Sequence, residues 1–179
     1  MQMRGFVASK THPGLWNPVI ACLKALVNYR VSAPICPAGM SPDTERFLLE
    51  NGREWPWKRD RLPFGIRPGP VRHCYLNAAS AALAQSKLIY VEGWACTHLF
   101  QPVGHAWCIH RESLAVIDPT WESNHRDRVY FGIAFKTSFL RNFKERSSVE
   151  LSILGWSEAD WPVQSGRIPR EAWAFETSY

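Results

Sequence analysis

Arg72-His73-Cys74-Tyr75-Leu76-Asn77-Ala78-Ala79 opens the stretch on which the reading of this chain turns, and Ile117-Asp118-Pro119-Thr120-Trp121 closes it. Between them lie Val91-Glu92-Gly93-Trp94 and His105-Ala106-Trp107. From Cys74, the residues Ala78, Ala81, Ala82 and Gln85 share one face of a helix predicted over 74–87, with side chains small enough to lie close against a sheet. Leu88 to Ala95 alternates as a strand, Ile89, Val91 and Gly93 on one side and Tyr90, Glu92 and Trp94 on the other. His105–His110 and Ala115–Thr120 read as two more strands, joined by Arg111-Glu112-Ser113-Leu114 in a hairpin.

This stretch also holds a chemical constellation. A thiol at a helix N-terminus sits beside unpaired backbone N–H groups and the positive end of the helix dipole, which stabilise thiolate and could hold an oxyanion. His105 and Asp118 are thirteen positions apart. With a four-residue loop at 111–114, that odd separation puts both side chains on one face, Trp107 opposite Asp118 and His105 a diagonal neighbour. Asp118 would then accept from the Nδ1–H of His105, leaving Nε2 to take a proton from Cys74. The plainer alternative makes Cys74 a buried core thiol, His105 a satisfied histidine and Asp118-Pro119-Thr120 a turn opener.

Cys74 at the head of a small-residue helix, then His105-Ala106-Trp107, then Ile117-Asp118-Pro119-Thr120-Trp121 together resemble the core of the transglutaminase-like branch of the papain-like cysteine enzymes. The likeness spans roughly Arg72 to Trp121. It implies an α+β fold of papain-like, transglutaminase-like type with a nucleophile helix packed on an antiparallel sheet, Cys74 as nucleophile, His105 as base and Asp118 as its orienting partner. Tyr75 stands where transglutaminases usually carry Trp, and no clustered acidic calcium loop is present. Hydrolysis of a peptide or amide bond through a thioester is therefore expected ahead of cross-linking.

Working outward, 179 residues suffice for one domain, and no internal repeat or domain boundary shows. The chain divides into N-terminal helices and a Trp/Pro-rich loop (1–71), the core (72–121), and the remaining sheet, helix and tail (122–179). Asn17-Pro18 ahead of Val19, Ile20, Leu23, Leu26 and Val27 predicts a helix ending near Tyr29 or Arg30. Ser41-Pro42-Asp43 starts a second helix that Asn51-Gly52 stops. Tyr130–Phe135 reads as a strand, Phe139, Leu140 and Phe143 as a basic helix from Thr137 or Ser138, and Val149, Leu151 and Ile153 as a further strand. An irregular wrap follows from Trp156.

The formal net charge of +5 is uneven. Arg53, Lys58, Arg59, Arg61, Arg67 and Arg72 against Glu54 and Asp60 give +4 between Arg53 and Arg72. Trp55, Pro56, Trp57, Pro63, Gly65, Pro68, Gly69 and Pro70 make that segment an expected irregular loop at the mouth of the site. Trp55, Trp57 and Arg72, with Trp107 beside His105, are the expected substrate-binding residues. A competing reading makes the protein a non-catalytic module whose segment 53–72 grips an acidic protein or nucleic acid. Asn77 and Gln85 read as helix decoration or as donors facing the cleft, and Glu92 as an exposed strand residue.

No metal is expected. Cys96, His98, His105 and Cys108 are a poor joint set, because in one strand His105 and Cys108 face opposite ways and no Cys-x-x-Cys pair exists. No cofactor is required. Five irregularly spaced cysteines, no apolar segment behind Met1–Lys10 and no membrane-length apolar run point to a reduced cytoplasmic protein with a peptide or protein substrate, nucleic acid being the less favoured partner.

Overall fold

Five antiparallel strands and four α-helices appear in the computed structural model, which describes residues 17–32, 43–57, 62–97, 100–121, 128–146, 152–154 and 168–175. The central strand β2 (Leu88–Thr97) pairs with β3 (Phe100–His110) on one side and with β5 (Arg128–Phe135) on the other. β1 (Arg53–Trp55) lies outside β5, and β4 (Val116–Ile117) outside β3, giving the order β1-β5-β2-β3-β4. The class is α+β.

Both faces of the sheet are buried, and successive residues of β2 alternate between two apolar clusters. Leu88, Tyr90 and Cys96 meet the helices, whereas Ile89, Val91 and Ala95 join Trp55, Trp107, Ile109, Val116 and Tyr130 on the opposite face. Gly93 of β2 faces Gly132 of β5. A Cβ at Gly93 would overlap the Phe131 carbonyl, and one at Gly132 would come within 2.8 Å of the Trp107 ring. The two glycines let β2 and β5 close up over that indole.

The helices follow from local chemistry. Asn17 caps α1 (Pro18–Ser32), its Oδ1 accepting from Val19 N at 2.9 Å and Ile20 N at 3.1 Å. α2 (Asp43–Asn51) stops before Gly52, and α3 (Cys74–Ala84) begins at the cysteine itself. Val19, Leu23 and Leu48 from the first two helices, the alanines of α3, and Leu140 of α4 (Thr137–Arg146) form one cluster against the sheet. The fully buried Val19, Leu23, Leu48 and Leu140 side chains contribute about 1.5–3 kcal/mol each. No helix among the described residues is long and apolar enough to cross a membrane.

Three expectations change. Residues 53–55 form an edge strand, with Arg53 opposite Gly132 and Trp55 opposite Tyr130, because the indole of Trp55 is buried and donates to Gly132 O at 3.0 Å. The strand expected over 115–120 shrinks to Val116–Ile117, because the Asp118 side chain and Pro119 turn the chain. Ile153 lies in a bend rather than a strand, while Val149 and Leu151 fall outside the described residues. Within 168–175 the chain makes a 3-10 turn (Arg170–Ala172) and Trp173 pairs with Phe135.

Candidate active site

The hairpin sets the geometry. Cys108 pairs with Ile117 and Ile109 with Val116, and His110 N bonds Ala115 O at 2.9 Å, so the connection is the four residues Arg111–Leu114. Continued one step, that register puts Asp118 opposite Trp107 and diagonal to His105. The two side chains meet, His105 Nε2 lying 2.8 Å from Asp118 Oδ2. The Cys74 thiol lies near enough to the same imidazole to help hold its proton. The three residues named from the sequence therefore come together.

The nitrogen assignment is corrected. Nε2, not Nδ1, faces Asp118, which leaves Nδ1 for Cys74. Strand register selects a face and a neighbour, but the two-fold torsion about the His ring is set by packing. Here the ring stacks on Trp121 at 4.1 Å and 18°.

Asp118 is both turn opener and orienting carboxylate. Its Oδ1 accepts from Thr120 N at 2.8 Å and Trp121 N at 3.1 Å, while Oδ2 takes His105 and the Tyr130 hydroxyl at 2.9 Å. Tyr130 in turn receives a bond from Arg128 Nη1 at 3.4 Å. Tyr130 and Arg128 had no signal in the sequence beyond an aromatic strand. Trp121 lay inside the quoted motif without a role.

The electrostatics follow. Burial works against an imidazolium at His105, but the Asp118 charge and hydrogen bond, together with the Cys74 contact, hold it up at about 9. Burial pushes Asp118 up, and His105 with the two backbone N–H groups reverses this, leaving it below its ordinary value. Both shifts describe an ion pair at neutral pH. A histidine raised on folding stabilises fully below its unfolded pKa, and that contribution is lost as pH rises through the folded one. Melting temperature is therefore expected to fall from about pH 6.5 through pH 9, and this component should vanish in His105→Gln. An unchanged pH profile in that variant would remove the ion pair.

The rim is tied to the triad. Gly69 N donates to Pro119 O at 2.7 Å, and Asn77 Nδ2 donates to Pro70 O at 2.8 Å and Thr120 Oγ1 at 3.0 Å. Asn77 thus clamps the loop before the nucleophile to the turn after Asp118. Gln85 Nε2 holds Phe64 O at 3.1 Å. Cys74 is 8% exposed, and Val71, Arg72 and His73 beside it are exposed. Arg72 takes a left-handed φ of 70° just ahead of the helix.

Other expected site residues move. Trp55 (3% exposed) and Trp107 (0%) are core residues and cannot touch a substrate. Apolar rings that alternate toward a buried sheet face are consumed by that face. Trp57 is half-buried on Tyr130, ring centroids 5.8 Å apart, under the Arg128 guanidinium. The binding-module reading thereby loses Trp55 to the core. Lys58, Arg59 and Arg61 lie outside the described residues.

Glu92 is buried rather than exposed, and it accepts from Tyr90 OH at 2.8 Å, Ile153 N at 2.8 Å, Leu154 N at 2.9 Å and the Ser152 hydroxyl. Among the described residues no group of His, Cys, Asp or Glu could hold a metal.

Comparison with protein-family models, with curated proteins and with solved structures gives no match to this chain.

Proposed function

We propose that the protein is a cysteine-dependent enzyme of the papain-like, transglutaminase-like kind, breaking a peptide or amide bond by acyl transfer, usually to water. The observation that carries this reading is the single imidazole of His105, bonded to Asp118 at 2.8 Å with the thiol of the first residue of α3 beside it. A helix head against an antiparallel sheet supports the same likeness.

In the proposed sequence the Cys74 proton is held on the His105 imidazolium, and the sulfur attacks the substrate carbonyl carbon. The tetrahedral oxyanion is received by the backbone N–H of Cys74. Collapse breaks the C–N bond, and the proton on His105 leaves with the amine. Water then gives a proton to His105 and adds to the thioester carbon; the C–S bond breaks, releasing the acid, and the proton stays on His105 beside the freed thiolate. Asp118 keeps the ring oriented and its charged form stable.

The test is intact-mass spectrometry during turnover of a library of peptides and glutamine amides. A substrate acyl group should appear on Cys74 of the wild type and be absent from Cys74→Ala, with product formation lost. Turnover that survives in Cys74→Ala, or no acyl adduct on any member, rejects the reading.

A further inference from the structure

Arg128 opens β5, opposite Thr97, and Tyr130 follows it by two residues, so the two side chains leave the strand on one face. His105 and Trp107 lie on that face too, their ring centroids 6.4 Å and 5.0 Å from that of Tyr130. A guanidinium there needs a reason. Arg128 is 5% exposed, and its Nε and Nη2 are buried without a hydrogen-bond partner. Arginine is seldom buried unless paired, and each orphaned donor lowers the stability of the fold.

The one nitrogen that does bond reaches the surroundings of His105. Nη1 donates to Trp121 O at 3.2 Å and to the Tyr130 hydroxyl at 3.4 Å, and its two hydrogens suffice for both. The Trp121 ring is stacked on the imidazole at 4.1 Å. The Tyr130 hydroxyl donates to Asp118 Oδ2, the oxygen that faces His105 Nε2. The cation itself packs on aromatic rings, 4.7 Å from the centroid of Trp57 and 5.8 Å from that of Trp121. Trp57 thereby serves as its platform.

We infer that Arg128 is a positioning residue for the His105–Asp118 pair, its Nη1 holding the Tyr130 hydroxyl to the carboxylate and the Trp121 backbone beside the imidazole. A hydroxyl that accepts from a cation is a stronger donor, so the bond from Tyr130 to Asp118 tightens. Both contacts oppose rotation of the carboxylate away from Nε2 and tilt of the ring off Trp121. Arg128 acts through these two residues and not on the thiol. For its consequence in turnover the inference rests on the reading of Cys74, His105 and Asp118 as the reacting set.

The experiment follows exchange of the His105 Nε2 proton with water by ¹H–¹⁵N NMR of the full chain, the signal being assigned by its absence in His105→Gln. The variants are Arg128→Met, Arg128→Lys, Tyr130→Phe and the double Arg128→Met/Tyr130→Phe. Exchange is expected to quicken by about tenfold or more in each, the equivalent of one lost charged hydrogen bond. Arg128→Lys keeps the charge but loses the planar fork, so it belongs with the others. The double variant should fall short of the product of the two single factors, because the two residues act in series. Arg128→Met should melt at or above the wild-type temperature, since a buried charge with orphaned donors is replaced by an apolar stem. If it is unfolded, Arg128→Lys and Tyr130→Phe carry the comparison. Unchanged exchange, wild-type exchange in Arg128→Lys, fully multiplicative factors, or acceleration that only tracks a lost melting temperature overturns the inference. So does a wild-type proton that already exchanges like that of a free imidazole. None of these measurements needs a substrate. Quickened exchange without an acyl adduct on Cys74 therefore rejects the reaction and keeps the hold on His105, whereas an adduct with unchanged exchange rejects the hold alone.

Discussion

Alkylation of Cys74 by iodoacetamide at pH 6 is expected to slow by about tenfold or more when His105 is replaced by alanine. An ordinary thiol, with a reference pKa of about 8.5, is only about 0.3% thiolate at pH 6. In the wild type the thiol touches an imidazole that Asp118 holds up at about 9, so a positive charge stands next to sulfur through neutral pH. Removing the ring removes that charge and the hydrogen bond together. Rates mapped residue by residue, with Cys22 as the half-buried internal reference, make the comparison within one protein. His105 is buried, so Asp118→Asn provides a second arm that keeps the ring and withdraws the carboxylate charge. It should lower the pH 6 rate in the same direction by a smaller factor. Equal Cys74 rates in all three proteins, or a wild-type rate no faster than that of Cys22, would sink the thiolate–imidazolium pair.

What could be seen from the sequence, and what could not, divides by physical range. The capping of α1 by Asn17, the start of α3 at Cys74 and the alternation along β2 are local, set by residues within a turn or a strand of one another. The His105–Asp118 contact was legible because a four-residue hairpin converts sequence separation into register. The identity of the bonding nitrogen was not, since the stack on Trp121 that fixes the ring belongs to tertiary packing. Trp55 and Trp107 were misread for the same reason. A tryptophan in a Pro-rich segment and one beside a histidine carry no mark of which sheet face will bury them. Gly132 makes room for Trp107 from a strand 25 residues away, and nothing local in either residue announces that match. Glu92 is the sharpest case, because a carboxylate in an alternating strand reads as the solvent side until its partners at 152–154 are in place.

Those partners make Glu92 the position where a single change should cost the fold most. Glu92→Ala is expected to lower stability by about 3–5 kcal/mol, leaving the donors of Tyr90, Ser152, Ile153 and Leu154 facing a dry cavity. For a chain of this size that is roughly 10 °C in melting temperature. Glutamine should not rescue it. Each carboxylate oxygen takes one backbone N–H, Oε1 from Leu154 and Oε2 from Ile153, so either orientation of the amide sets its NH2 against a backbone donor. Burial raises the Glu92 pKa, and the four donors only partly reverse it. A carboxyl raised on folding stabilises most below its unfolded pKa of about 4.3 and loses that contribution as pH rises through the folded one. The wild-type margin over Glu92→Ala should therefore be widest in acid and narrow on going to neutral pH. Tyr75, the residue after the nucleophile, lies near enough to Glu92 and Ser152 to feel both, so the network reaches the head of α3. Melting curves of wild type, Glu92→Ala and Glu92→Gln from pH 4 to pH 8 read the stability. Cys74 alkylation in the same samples reads the helix. A loss under about 1 kcal/mol in both variants would mean that the 152–154 segment is held by something other than this carboxylate. A full loss with Cys74 reactivity intact would confine the network to anchoring that segment, and a parallel loss of reactivity would make Glu92 a positioning residue for the thiol.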